Sequence, residues 1–412
     1  MFNLIYLIQN FCFIFLNPGE NGDEYYYNNI YQLDEVNVDK ITSVPSQVYI
    51  LLSSLINFFL KNNLLAPRVV SLLSCILLFI LIYNYFFKKL ETSFIEKIIL
   101  YTFFIAIIFI SRHCFIGTSD FMSICLLFWA LMFLIELFEK EQVAHLKKLF
   151  SIGILIGVSI TVRPTVLVIY FCFAISLLFF KKYRLYIFSN LKELVFLSLI
   201  SISFIVLINF YPIIKEHKII LDVKEVPKET GVNWLQRNYL MAKFWDDGTL
   251  EPGNWLSTQD VIDYKLKNPN VFIPKSNFEI LVREPFMYTR QLIRMFVKAN
   301  YTYFRFLYLF YPLLFLIFIP KNIFFNQVIK NDTLIAKEKY KLIILTLFSS
   351  TIVFSFLALK MFEPRWVIAI LLVYILFSIE YLLTFERKKR YLLYLFSSIL
   401  GVIMFSNTFL GN

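Results

Sequence analysis

The residues best equipped for chemistry gather in a few polar breaks of an otherwise apolar chain. Residues 17–40, NPGENGDEYYYNNIYQLDEVNVDK, hold Glu20, Asp23, Glu24, Asp34, Glu35 and Asp39 against one cation, Lys40, and open on the turn-forming Asn17-Pro18-Gly19. A carboxylate in such a loop can act as general base toward a hydroxyl or hold a divalent cation. The adjacent pair Asp23 and Glu24 is the leading candidate, while Asp34 and Glu35 read as surface charges. Farther along, Arg163, Arg365 and the pair Arg112-His113 stand at the ends of apolar runs. A guanidinium there is planar and presents several donors, which suits the oxygens of a phosphate, although charged groups at membrane ends also serve as interface anchors. Asp120, preceded by Thr118 and Ser119, reads either as a residue satisfying backbone donors at a helix start or as a second site acid. His113 reads equally as a hydrogen-bonded interface residue or as a base.

What must position these residues is a membrane bundle. Of 412 residues 59% are hydrophobic and 17% charged, and mean hydropathy is +0.68, far from the roughly 25% charged residues of soluble domains. No G-x-G-x-x-G or Walker pattern occurs, which argues against an ATP-driven pump. The net charge of +11 comes from short Lys/Arg clusters between apolar runs, which marks them as topology determinants and not as a nucleic-acid surface. Cys75, Cys125 and Cys172 lie within apolar runs, Cys12 and Cys114 near their ends, and no disulfide framework or paired zinc spacing is present.

Taken in order, the chain predicts a short apolar helix at 4–16, the acidic loop, and a helix at 44–60. Ser, Gln and Asn are mixed with large apolar side chains in this last helix, which suits the membrane interface. Spans follow at 69–87, 98–110, 121–138, 150–162, 165–180 and 194–211. A long polar region at 212–298 contains Trp234, Trp245, Trp255 and an Asp246-Asp247-Gly248 turn. Spans at 303–319, 342–359, 367–385 and 391–410 close the chain. The expected fold is all-α integral membrane: a polytopic helical bundle of about eleven transmembrane helices, with a membrane-parallel helix in the first outer loop and one long outer loop. The expected divisions are 1–211, with its first outer loop at 17–66, then the long loop 212–300, then 301–412. With the amino terminus inside, the clusters at 88–89, 140–148, 181–184, 321–341 and 387–390 all face the cytoplasm. The same choice puts the acidic loop, 111–120, Arg163, the long loop and 363–366 on the outer face. The tryptophans of the long loop then serve either to stack on sugars or to anchor it at the interface.

Several of these stretches carry a resemblance. Gly22-Asp23-Glu24-Tyr25-Tyr26-Tyr27, followed by Val44-Pro45-Ser46-Gln47-Val48-Tyr49, resembles the first outer loop of the polytopic glycosyltransferases of the C-type fold (GT-C). That group includes protein O-mannosyltransferases and lipid A aminoarabinose transferases. Gly117-Thr118-Ser119-Asp120, then Gly153 to Gly157 with Thr161-Val162-Arg163-Pro164-Thr165, and Glu363-Pro364-Arg365-Trp366 are similar to further elements of the group in the same order. The likeness covers residues 4–211 well and the last helices loosely. It implies sugar transfer from a polyprenyl-phosphate carrier to an extracytoplasmic glycan, lipid or protein acceptor, within membrane lipids. Asp23 would be the general base, and Glu24 would assist or bind a divalent cation. Arg365, Arg163 and Arg112 would hold the donor phosphate, and Asp120 and His113 would be secondary acid or acceptor-side residues. The carrier's tail would lie near residues 44–60, and the long loop would cap the site. A polyprenyl phosphate is already a good leaving group, so one carboxylate suffices where glycoside hydrolysis needs two. A bacterial inner membrane with the site facing the periplasm or exterior is expected. The alternatives are a surface-polysaccharide polymerase or ligase, which would lean on loop arginines such as Arg283 and Arg290, and a lipid-linked sugar flippase or transporter, which would place charges in broken helices at mid-membrane.

Overall fold

The computed structural model describes residues 15–17, 19, 24, 46–110, 114–139, 146–217, 219, 232, 234–251, 254, 256–307, 331–358, 363–385, 390, 391 and 395, apart from single positions whose side chains are not described. Among these residues the chain is helical throughout, with no strand. It divides into two compact units, Met1–Asp222 with Phe306–Leu347 and Arg365–Asn412, and Val223–Arg305 with Phe348–Pro364.

In the first unit α1 is Gln47–Leu60, α2 is Leu65–Asn84 and runs on through a π-helical turn at Tyr85–Lys89, and α3 is Phe94–Ile110. Then come α4 (Ser119–Glu139), α5 (Leu146–Val162), α6 (Val166–Leu178), α7 (Lys181–Ser189), α8 (Leu191–Ile208) and α9 (Phe210–Glu216). The second unit holds α10 (Trp234–Asp246), α11 (Thr258–Lys267), α12 (Asn277–Arg283) and α13 (Pro285–Leu307). Helix α14 (Asn331–Ala358) runs from the first unit into the second, and α15 (Ile368–Leu383) returns to the first.

Among the described residues four helices are long and apolar enough to cross a membrane: Leu65–Lys89, Ser119–Glu139, Leu191–Ile208 and Ala336–Leu357. A fifth is added if the pair Val166–Leu178 and Lys181–Ser189, bent by 104°, counts as one. This is the build of a helical membrane protein, in which the backbone must satisfy its own hydrogen bonds and helices are therefore imposed. The expected spans at 4–16, 303–319 and 391–410 fall wholly or mostly outside the described residues.

Helix α4 packs against α2, α5 and α15, and α15 is buried along nearly its whole length. Helices α5 and α8 meet most closely at Gly153 and Gly157. A Cβ on Gly153 would lie 2.8 Å from the Ile200 side chain, and one on Gly157 would lie 2.9 Å from the Ser201 carbonyl oxygen. The Ser201 hydroxyl donates to the Gly153 carbonyl at 2.9 Å. Such small-residue contacts are the usual adhesive of helices in lipid, where apolar side chains gain little by meeting one another.

Two local features go beyond the expectations. In helix α1 Gln47, Ser53, Ser54 and Asn57 are buried while Leu51, Leu52, Leu55, Phe58 and Phe59 are exposed. The polar face is used inward: Gln47 Nε2 donates to Asn209 Oδ1 at 3.1 Å and Asn57 Nδ2 to Asn63 Oδ1 at 2.6 Å. Lys181, Lys182 and Arg184 were read as a loop. They begin helix α7, because extended backbone at Phe180 (φ −104°, ψ 121°) ends the preceding run and starts a new one.

The second unit has its own small core of Val232, Tyr239, Leu240, Val261, Ile280 and Tyr288. Helix α11 is started by a capping box in which Asp260 accepts from the Ser257 backbone N–H and hydroxyl, both at 2.7 Å. These bonds hold the Asp260 carboxyl below the usual carboxylate range.

Two outcomes are expected. Gly157→Ala forces a methyl against the Ser201 backbone and lowers stability by about 1–3 kcal/mol, read as a fall in the unfolding temperature of the purified protein in detergent; an unchanged temperature would show that the two helices are not in close apposition. The depressed Asp260 pKa means that its stabilising contribution is complete above the ordinary carboxylate value and is lost as pH falls through the lower folded value. Ser257→Ala should therefore raise the Asp260 titration midpoint followed by carboxyl NMR.

Candidate functional site

Asp120 lies in the first turn of α4, with its side chain only 1% exposed and a guanidinium on each oxygen. Arg365 Nη1 donates to Oδ2 at 2.8 Å, Arg163 Nη1 pairs with Oδ1, and the Thr118 hydroxyl adds a bond to Oδ2 at 2.9 Å. Each partner is delivered by a chain break. Arg163 follows the last residue of α5, where Pro164 cannot continue the helical hydrogen bonding. Arg365 sits in the single 3₁₀ turn Pro364–Trp366 that leads into α15. Two guanidinium groups thus share one buried carboxylate, inside a bundle where charge is weakly screened.

Three residues upstream of Asp120, Gly117 touches a second ion pair. Arg68, in the first turn of α2, and Glu24 are 1% and 0% exposed. Arg68 Nε and Nη2 grip the two Glu24 oxygens at 2.8 Å each, a bidentate pair. The remaining donors reach the carbonyls of Phe15 at 3.0 Å, Gly19 at 2.8 Å and Asn17. The Gly117 N–H donates to Glu24 Oε1. A Cβ at Gly117 would lie 3.1 Å from that oxygen and 3.2 Å from the Arg68 nitrogen, so a glycine is what fits between them.

Residues 117–120 are thus the bridge between the two centres. Their other contacts fix them further: Ser71 Oγ donates to the Thr118 carbonyl at 3.1 Å and Ser46 Oγ to Ser119 Oγ at 2.9 Å. Tyr49 OH bonds the Pro67 carbonyl at 2.8 Å and faces Ser71 Oγ at 3.2 Å.

Of the residues singled out by sequence, Asp120, Arg163 and Arg365 meet directly. Glu24 is joined to them through the 117–120 turn, and with both oxygens engaged and no exposure its geometry is that of an anchor for the first loop. Asp23, Arg112 and His113 lie outside the described residues, as does Trp255. Arg68 was missed because it was read as the threshold of a clean apolar span. The signal was available: it is the one charged residue in Leu65–Asn84, and an ionisable group inside a membrane helix calls for a partner. Among the described residues no three His, Cys, Asp or Glu side chains converge as a cation site.

A second polar cluster lies at the other end of the same helices. Asp120 and Glu136 are separated by about 24 Å along α4 at the usual helical rise. There a cavity of about 690 Å³ is lined by Tyr85, Lys89, Glu136, Glu139, Lys339 and Glu380 among others. Lys339 Nζ bridges Glu139 at 2.6 Å and Glu380 at 2.8 Å, while Tyr85 OH donates to Glu380 at 2.7 Å. Glu136 pairs with Lys89 and, at 3.3 Å, Lys148.

Comparison with protein-family models, curated proteins and solved structures finds no match to this chain.

Removing one member of the buried pair should be worse than removing both. Arg68→Ala strands the Glu24 carboxylate and should cost about 3–5 kcal/mol, whereas the double substitution with Glu24→Ala should recover part of that loss. Thermal unfolding of the three variants reads it; strictly additive effects would show that the two side chains are not an energetic unit.

Proposed function

We propose that the chain is an integral membrane glycosyltransferase that moves a sugar from a polyprenyl-phosphate donor to a glycan, lipid or protein acceptor, at the extracytoplasmic face of a bacterial inner membrane. The observation that carries the reading is the convergence of Arg163 and Arg365 on Asp120, linked through residues 117–120 to the buried pair of Glu24 and Arg68. Arginines from two distant breaks in the sequence share one anion at one end of the bundle. These are residue types suited to a phosphate, and they come from the same stretches that resemble the C-type glycosyltransferases.

An acceptor hydroxyl attacks the anomeric carbon, the bond from that carbon to the phosphate oxygen breaks, and the electron pair leaves on the polyprenyl phosphate. The hydroxyl proton passes to a carboxylate, for which Asp23, next to the anchored Glu24, is the candidate. Arg163 and Arg365 would stabilise the departing phosphate, with Asp120 as the carboxylate that keeps them in place until the donor arrives.

A second reading draws support from the cavity at the lysine-rich end, where Lys339 joins two glutamates among the ends of packed helices. Charged groups of this kind are found on the pathways of transporters and flippases.

Sugar transfer by the purified protein, reconstituted with a polyprenyl-phosphate sugar, tests the proposal. Asp23→Asn should lower turnover by about 10²–10⁴-fold, as loss of a general base does. Arg365→Ala and Arg163→Ala should each lower it by about 10²–10³-fold, with lysine a poor replacement. Arg283→Ala and Arg290→Ala should leave it nearly unchanged; sensitivity there with none at Asp23 favours the polymerase reading. Movement of lipid-linked sugar across vesicles without transfer decides for the transporter.

A further inference from the structure

Helix α13 does not look like part of a water-soluble loop. Its buried residues, Tyr288, Gln291, Met295, Ala299, Thr302 and Tyr303, recur at helical spacing on one face. On another face Phe286, Ile293, Val297 and Tyr301 are exposed, Phe286 to 90%. Arg290 and Lys298 are exposed on that side too. Over its whole length the helix carries Arg290, Arg294, Lys298 and Arg305 and no acidic residue. Asp246 of α10 pairs with Arg290 and Arg294, while the Arg294 guanidinium also lies 5.1 Å from the Trp245 ring centre. An apolar stripe beside cations on one exposed surface is the pattern of helices that lie in a membrane interface.

The direction of the helix agrees with that pattern. Tyr288 OH donates to the Phe356 carbonyl at 2.8 Å, with the two rings 5.2 Å apart. The Tyr303 and Thr351 hydroxyls bond to each other. Tyr288 and Tyr303 are about 22 Å apart along α13, but the places they touch on α14 are only about 7.5 Å apart. Both contacts of α13 therefore fall near the carboxyl-terminal end of α14. The apolar part of α14, Ala336–Leu357, has 22 residues and is about 33 Å long, close to the thickness of a bilayer core. Helix α13 touches it at Thr351 and Phe356, near its carboxyl-terminal end, where a span leaves the hydrocarbon.

We propose that α13 lies in the headgroup layer of the membrane, with Phe286, Ile293, Val297 and Tyr301 set into the acyl boundary and its cations at the phosphates of anionic lipids. The partner is the bilayer surface itself. The assignment holds whether or not the first unit transfers sugars.

The test uses the full chain in lipid nanodiscs, with Cys12 replaced by serine and an environment-sensitive fluorophore on Ile293→Cys or, as a control in the same unit, Asn270→Cys. Both positions are exposed, and Cys75, Cys114, Cys125 and Cys172 are buried. Lipids bearing a nitroxide near the headgroup should quench the label at position 293 strongly and the one at position 270 weakly, with aqueous iodide giving the reverse order. Replacing a zwitterionic bilayer with one containing anionic lipid should increase quenching at 293. Lys298→Gln should remove most of that gain, since one cation at an anionic surface is worth about fivefold in occupancy. Iodide quenching at both positions, shielding of position 293 from both agents as a second copy of the chain would give, or lipid quenching indifferent to bilayer charge would each overturn the proposal.

Discussion

A carboxylate buried in an apolar bundle is tolerable only if a cation meets it there, because removing an isolated charge from water costs far more than a folded protein has to spare. The site end of the first unit is built on that constraint. Glu24 is fully enclosed and Arg68 supplies the compensating charge, and in doing so uses its remaining donors on the carbonyls of the first loop. Phe15, Asn17, Gly19 and Glu24 are thereby gathered around one side chain of α2. Gly117 completes the arrangement from a different helix connection, and three residues later Asp120 repeats the motif with two arginines. Substituting any one of these charges leaves the others wrongly paired, so the polar end behaves as a linked set and not as separate surface ion pairs.

The two ends of the bundle use the same residue types differently. At the site end arginines outnumber the carboxylate they share, and the arrangement is compact. At the other end lysines and glutamates alternate around an open cavity, with Lys339 between two glutamates. Guanidinium suits the first because its fork binds two oxygens in a fixed geometry, and ammonium suits the second because a point charge can be shared among several carboxylates.

The apolar runs at 69–87, 121–138, 150–162 and 194–211 announced helices α2, α4, α5 and α8 to within a few residues, since continuous hydrophobicity in lipid leaves the backbone few other choices. Pro164 likewise announced the break that frees Arg163. The inward turn of α1 was not legible: its mixture of Ser, Gln and Asn with Leu and Phe fits an interface helix as well as one whose polar side chains bond to neighbouring helices, and only the identity of partners such as Asn209 decides. The pairing of Asp120 with Arg163 and Arg365 was not legible either, because it joins residues 43 and 245 positions apart. Arg68 could have been found by asking what a lone cation does inside a span.

Helix α8 illustrates how such a bundle can be put together. Leu199, Ile202, Val206 and Leu207 face outward, and α8 is joined to the bundle chiefly along the line where Gly153 and Gly157 let it touch α5. A segment so largely surrounded by lipid must be stable as a lone span before it docks. Insertion and assembly can therefore be separate events for this helix, with the two glycines deciding whether the later one takes place.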